Sequence, residues 1–216
     1  MEEKQERLFT AAHNLFLNQG FKRTSIAEIA SQAGVAVGTF YNFYQSKSDI
    51  FVQVYNAENE RAKGQILAAV DLDVAPTDLV KTVLHQIFTH SADNQILQEW
   101  FTNPKLNALI ARNNQSAVEE SLVYATLMHL IDRWQDRGLL KDGLSKDRVI
   151  SLFNALTVVD FHQSEIQTDD YYQLLNDLIS GILLFILKRK LQEQVSHTKQ
   201  PQDIPISRWC LGQALS

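Results

Sequence analysis

Apolar positions recur at spacings of three and four along most of this chain, the period of helices with one buried face. Leu8, Phe9, Ala12, Leu15 and Phe16 set the pattern from about Glu3 to Asn18, and Gly20 ends it. Ile26, Ile29, Ala30 and Ala33 repeat it over a short second segment. Thr24 or Ser25 can cap that segment, with Glu28 three residues after Ser25 as a capping-box partner. A third helix is expected over Ala36 to Phe43. Ser46 caps a fourth, in which Ile50, Phe51, Val54 and Tyr55 face inward and a polar stretch, Asn56 to Gln65, leads on to about Val70. Leu72 to Pro76 breaks the pattern. Thr77 restarts it to about Ser91, with Leu79, Val80, Val83, Leu84, Ile87 and Phe88 apolar. Short helices follow over Asp93–Phe101 and Lys105–Arg112, then a long one from Ser116 to Arg137, closed by Gly138. Ser145 caps a helix to about Ser164, and Thr168 caps the last, to about Val195. No segment alternates as a strand would. The pattern predicts an all-α fold of about nine to ten helices. The expected organisation is an N-terminal three-helix unit over residues 1–48, a helical C-terminal domain over 49–195, and an irregular tail over 196–216 holding Pro201 and Pro205.

The segment from Thr24 to Lys47 predicts function. Gly34 follows the second helix directly, where a positive φ is wanted and glycine adopts it without steric cost. Val35 can plug the gap between helices. Small residues open the third helix and aromatics follow. That is the geometry of a helix-turn-helix, whose second helix enters the DNA major groove by its N-terminal end.

The run AGVAVGTFYNFYQSKSDIF, preceded by AAHNLFLNQGFKRTSIAEIA, resembles the N-terminal domain of TetR-family transcriptional regulators. The resemblance spans residues 6–55 and rests on LF…QGF, the Thr-Ser helix start, I-A…AGV, GTFY and F-Y-x-S-K. It implies an N-terminal DNA-binding head, a variable helical body that binds ligand, and a C-terminal dimer. Thr24, Ser25, Thr39 and Tyr41 offer hydroxyls and Lys47 a charge at a helix start, the usual phosphate ligands. The resemblance implies the same role for these positions. Ala36, Val37, Gly38, Asn42 and Phe43 would meet base edges, Asn by binding adenine and the apolar groups by touching the thymine methyl. Many relatives carry Lys or Arg where this chain has Val37, so apolar contact or DNA shape would contribute more here. Phe40 reads as core.

The body offers two surfaces. The apolar positions Phe153, Leu156, Leu175, Leu178, Ile182, Phe185 and Ile186 on the last two long helices would form a homodimer interface, which suits a palindromic double-stranded DNA operator. The middle helices could enclose a pocket lined by Phe88, Trp100, Phe101, Tyr124, Met128, His129 and Phe153. Plain core packing is the rival reading for each. His129 and Asp160 are the polar groups placed among apolar neighbours. The implied effector is a small, largely apolar or aromatic molecule with a few polar contacts.

Composition narrows the classes. At 216 residues, 45% apolar and 21% charged, the chain is an ordinary globular one of one or two domains. Eight Gly and four Pro favour helices. The single Cys210 cannot pair internally, which fits a reducing, cytoplasmic setting. The opening MEEKQER lacks a signal-peptide pattern. The most apolar run, Leu178 to Leu187, falls well short of the roughly 20 residues needed to span a membrane. The net charge of −5 argues against DNA until its distribution is read: Lys4, Arg7, Lys22, Arg23 and Lys47 balance Glu2, Glu3, Glu6, Glu28 and Asp49 in the first fifty residues. No Gly-rich phosphate loop, nucleophile elbow or His pair at i, i+4 is present, so neither catalysis, a cofactor nor a metal is expected. The alternative is a DNA-binding protein on the same frame with no small-molecule role, such as a nucleoid-associated or division factor.

Overall fold

The computed structural model describes residues 2–114 and 122–188. Among these residues it is built from ten α-helices, and an isolated bridge between Leu140 and Leu187 is the nearest approach to β-structure. The expected tail from residue 196, with its Pro201 and Pro205, lies outside the described residues, as does residue 195.

The chain divides into two compact units. The first holds residues up to Gln65 together with the segment from Thr89; the second holds Ile66–Phe88 and the later helices.

In the first unit, α1 (Glu2–Arg23) is interrupted at Gly20, whose φ of 77° and ψ of 169° are not helical. α2 (Ile26–Gln32) starts on a full capping box: the Ser25 hydroxyl accepts from the Glu28 amide, and the Glu28 carboxylate accepts from the Ser25 amide at 2.7 Å. α3 spans only Val37–Phe40. It is shorter than expected because residues 41–43 pass into turns, held by bonds from the Asn42 and Phe43 amides to the Thr39 and Phe40 carbonyls. α4 (Lys47–Ala69) as far as Gln65, α6 (Gln95–Thr102) and α7 (Pro104–Asn114) complete the unit. Its core joins Leu8, Ala12 and Phe16 of α1 to Ile29, Phe40, Tyr44, Phe51 and Trp100. Phe16 and Phe21 each meet the Phe51 ring edge-on, with centroids 5.0 Å apart.

The second unit is organised by α5 (Pro76–Ala92, up to Phe88), α8 (Leu122–Asp136), α9 (Lys146–Phe161) and α10 (Tyr171–Ile186). Pro76 opens α5, a position where its missing N–H costs nothing. Trp134 and Ile131 of α8, Val149 of α9 and Leu183 and Ile186 of α10 form the centre of the core. Asp170, not Thr168, caps α10; the Thr168 hydroxyl instead accepts from the Asp170 amide. α10 ends at Ile186, short of the expected end near Val195. Leu187 turns extended and is fully buried. The backbone there pairs with the loop after α8, through Lys141 N to Ile186 O at 2.8 Å and Lys188 N to Leu139 O at 3.0 Å.

Candidate nucleic-acid interface

The turn between α2 and α3 is set by backbone hydrogen bonds. Gly34, at φ 65°, follows the α2 C-cap Ala33, its amide bonds to Ser31 O at 3.1 Å, and the Val35 amide reaches back to Ala30 O at 3.0 Å. This is a Schellman ending, which needs a left-handed residue where glycine stands. Ala36 then begins α3 in extended conformation, and no side chain caps that helix. The Val37 and Gly38 amides at its start therefore donate to no cap side chain.

α3 is anchored from beneath by Phe40, fully buried, against Tyr44 at 5.6 Å between ring centroids. Its other side is open. Tyr41 is 56% exposed and Val37 44%. Ser25, Ala36, Gly38 and Asn42 are exposed, Thr39 and Phe43 half-buried. Among the described residues, a Cβ added at Gly38 would meet nothing within 4 Å, so their packing does not require glycine there. Ser25, Ala36, Val37, Gly38, Tyr41 and Asn42 are thus each accessible, and Thr39 partly so.

Two expected phosphate ligands are placed differently. Thr24 is 2% exposed. Its hydroxyl donates to Gly20 O at 2.8 Å and accepts from the Gln19 amide at 3.3 Å, closing the end of α1. Lys47 donates to Phe21 O at 2.8 Å and Thr24 O at 2.6 Å, with its ammonium 4.2 Å from the centre of the Phe21 ring. Burial pushes that ammonium below its usual range, while Glu99 and Glu28 oppose the shift. Both residues are internal fasteners: the break at Gly20 leaves carbonyls that a nearby hydroxyl and ammonium satisfy. A single N–H of Lys47 is left for an outside acceptor. On the exposed rim, the Ser25 hydroxyl, foremost, holds the Glu28 carboxyl below its ordinary value.

The expected pocket residues are divided between the two units. Trp100 stacks on Tyr55, centroids 6.0 Å apart, and both it and Phe101 belong to the first unit. Phe88, Tyr124, Met128 and Phe153 belong to the second, where Phe88 meets Tyr172 edge-on at 4.8 Å. His129 is exposed, contrary to its expected place among apolar neighbours; its position on α8 turns away from the side that buries Leu130, Ile131 and Trp134. Asp160 accepts a 3.0 Å bond from the Tyr171 hydroxyl, and burial, then Asp160, pushes that phenol far up.

The expected dimer residues also separate. Phe153, Leu175 and Ile186 are buried in the core of their own unit, and Leu156 and Ile182 are half-buried. Leu178 and Phe185 are exposed on α10, with the Lys141 and Arg148 cations 5.6 and 5.4 Å from the centre of the Phe185 ring. Sequence reasoning missed Gly181, which lies on the same stripe of α10. A Cβ added to it would also meet nothing within 4 Å among the described residues.

A capped helix, a left-handed glycine turn and a short second helix with an open face define a DNA-binding helix-turn-helix. Residues 8–54 match the family described as bacterial regulatory proteins, tetR family, so this segment is a DNA-binding head of the tetR-family type. The HTH-type transcriptional regulator YerO of Bacillus subtilis is 40% identical over 52 residues, 24% of this chain and 18% of YerO. The HTH-type transcriptional regulator SAB2452 of Staphylococcus aureus is 26% identical over 125 residues, 58% of this chain and 63% of that protein. The chain thus spans less than two thirds of these curated relatives. The solved structure of RolR with resorcinol matches in fold over 93% of this chain and 96% of RolR, at a TM-score of 0.55 and 18% identity. No helix among the described residues is long and apolar enough to cross a membrane.

Proposed function

We propose that this chain is a ligand-responsive transcriptional regulator: a cytoplasmic repressor that binds a palindromic DNA operator as a homodimer and is released by a small-molecule effector. The observation that carries the proposal is the outward face of α3, exposed and free of internal demands, on a base fastened by Phe40, Thr24 and Lys47. Ser25, Thr39 and Tyr41 supply hydroxyls to phosphates, with the uncapped amides at the start of α3. Ala36, Val37, Gly38, Asn42 and Phe43 meet base edges, and Gly38 lets the backbone approach closely. Thr24 acts beneath this surface rather than on it, and Lys47 offers its remaining N–H.

Gly181 supports the dimer. A glycine inside a helix costs about 1 kcal/mol against alanine, and among the described residues nothing occupies the space a side chain would take. A second α10 crossing at Gly181, between Leu178 and Phe185, would use it. The effector is assigned to the apolar second unit; RolR, a protein of this fold, has been solved with resorcinol bound, which supports a small aromatic class.

The test is a selection of genomic DNA fragments by the purified protein at two salt concentrations. One palindrome should be recovered, its binding should weaken as salt rises, and Thr39→Ala with Tyr41→Ala should lower affinity about a hundredfold with melting temperature unchanged. Equal recovery by wild type and double variant would remove the DNA-reading role. Operator binding unaffected by every aromatic compound that raises the melting temperature would remove effector release.

A further inference from the structure

We propose that Glu58 is a positioning residue that ties α1 to the first turn of α6, through His13 on one side and Asn94 on the other, and that operator affinity depends on this tie. The dependence on DNA rests on the function proposed above; the tie itself does not.

Glu58 lies in the polar stretch of α4 yet is only 1% exposed. An isolated carboxylate taken out of water costs several kcal/mol unless its oxygens are paired. All four of its bonds are accounted for. Arg61, one turn on, makes a forked contact, Nε to Oε2 at 3.1 Å and Nη2 to Oε1 at 2.5 Å. His13 Nε2 of α1 lies 3.0 Å from Oε2. Asn94 Nδ2 donates to Oε1 at 2.5 Å. Arg61 would be enough to neutralise the charge from within α4. The other two ligands come from outside that helix, 45 residues before and 36 after.

Asn94 is the informative member. It is the N-cap of α6, its Oδ1 accepting from the Ile96 and Leu97 amides at 2.9 and 3.2 Å. Asp or Ser would cap equally well, but neither presents an amide donor to a carboxylate. One side chain therefore both starts α6 and holds Glu58, so the first turn of α6 cannot shift without releasing one of them. A second bond, Gln95 Nε2 to Asn18 O at 3.2 Å, fixes the same turn to α1. α1 in turn packs on α2, and α2 on α3. The position of α6 is thus handed to the reading helix through contacts within one unit. Arg61 first, then His13 and Asn94, hold the Glu58 carboxyl down to about 2 against the burial that would raise it. It stays charged at every working pH.

The test is a double-mutant cycle in the full chain: Asn94→Asp, Glu58→Gln, and both. Asn94→Asp keeps the cap but sets two carboxylates together. In the double variant the new side-chain amide on α4 can donate to the new carboxylate at the α6 cap, restoring the bond with reversed polarity. We expect each single change to lower affinity for the selected duplex about tenfold and to speed amide exchange in α1 around His13, and the pair to recover to within about threefold. Losses that simply add, or singles that match wild type, overturn the tie. Should Asn94→Asp fail to fold, Asn94→Ser, a cap with neither charge nor amide, decides the matter: unchanged α1 exchange and duplex affinity would overturn the proposal. Thr39→Ala with Tyr41→Ala runs alongside. If that pair also binds as wild type, the DNA reading fails, while exchange still tests the tie.

Discussion

Both units have apolar cores, and they differ in the directed bonds added to them. The first is fastened by directed bonds at named positions: the Ser25–Glu28 box, the left-handed Gly34, Lys47 on two carbonyls, and the Glu58 cluster. The second rests on a continuous apolar core around Trp134, Ile131 and Leu183, with a few polar ties such as Tyr171 to Asp160. Directed bonds specify geometry, which a surface that must match DNA needs to within a fraction of an ångström. An apolar core tolerates substitution provided volume and pattern are kept. A unit built that way can change its lining from protein to protein without losing its fold.

Breaking the apolar side of this contrast should have the largest effect. Trp134→Ala removes the largest fully buried side chain of the second unit, and should cost about 3–5 kcal/mol in urea unfolding. The directed side is more sensitive to acid. The Glu58 carboxyl falls from 4.5 to about 2 on folding. A depressed carboxylate contributes stability above its unfolded value and loses it as pH falls toward the folded one. The contribution, about 3 kcal/mol at most, should therefore disappear between pH 4.5 and 2. The stability advantage of wild type over Glu58→Gln should shrink across that window; a constant difference would argue that the carboxylate is not paired as described.

Next in size is Gly34→Ala. At φ 65° an L side chain is strained, and the loss should be about 1–2 kcal/mol, seen as a lower melting temperature together with weaker DNA binding. The smallest stability effect sharpens the contrast most. Gly38→Ala meets open space and should raise helix stability by about 0.5–1 kcal/mol, yet lower duplex affinity. If affinity is unchanged, the backbone at Gly38 does not approach DNA closely.

The helix-turn-helix was legible because each of its positions answers a local demand. Glu28 three residues after Ser25 specifies a box, Gly34 a left-handed turn, and Phe40 an anchor one turn into α3. The rest failed to show for a physical reason: it depends on groups distant in sequence. Asn56 to Gln65 reads as a solvated linker because no local period marks Glu58 as buried; His13 and Asn94 come from elsewhere in the chain. Lys47, at a helix start, reads as a phosphate ligand alone; the Phe21 and Thr24 carbonyls that take two of its N–H groups come from outside that helix. The apolar run through Leu187 reads as continuing helix, whereas the chain turns extended there to pair with residues 139–141. Gly181 was passed over because a missing side chain leaves no pattern.

The Glu58 cluster also decides where such a protein can be cut and rejoined. A chimaera that exchanges residues 1–48 would import a foreign partner at position 13 and leave Glu58 and Asn94 behind with the recipient. An exchange that also carries residues 49–65 and 89–114 moves His13, Glu58, Arg61 and Asn94 together. A donor head should keep its own operator preference in the second design and lose affinity in the first, even though both transplant an identical helix-turn-helix.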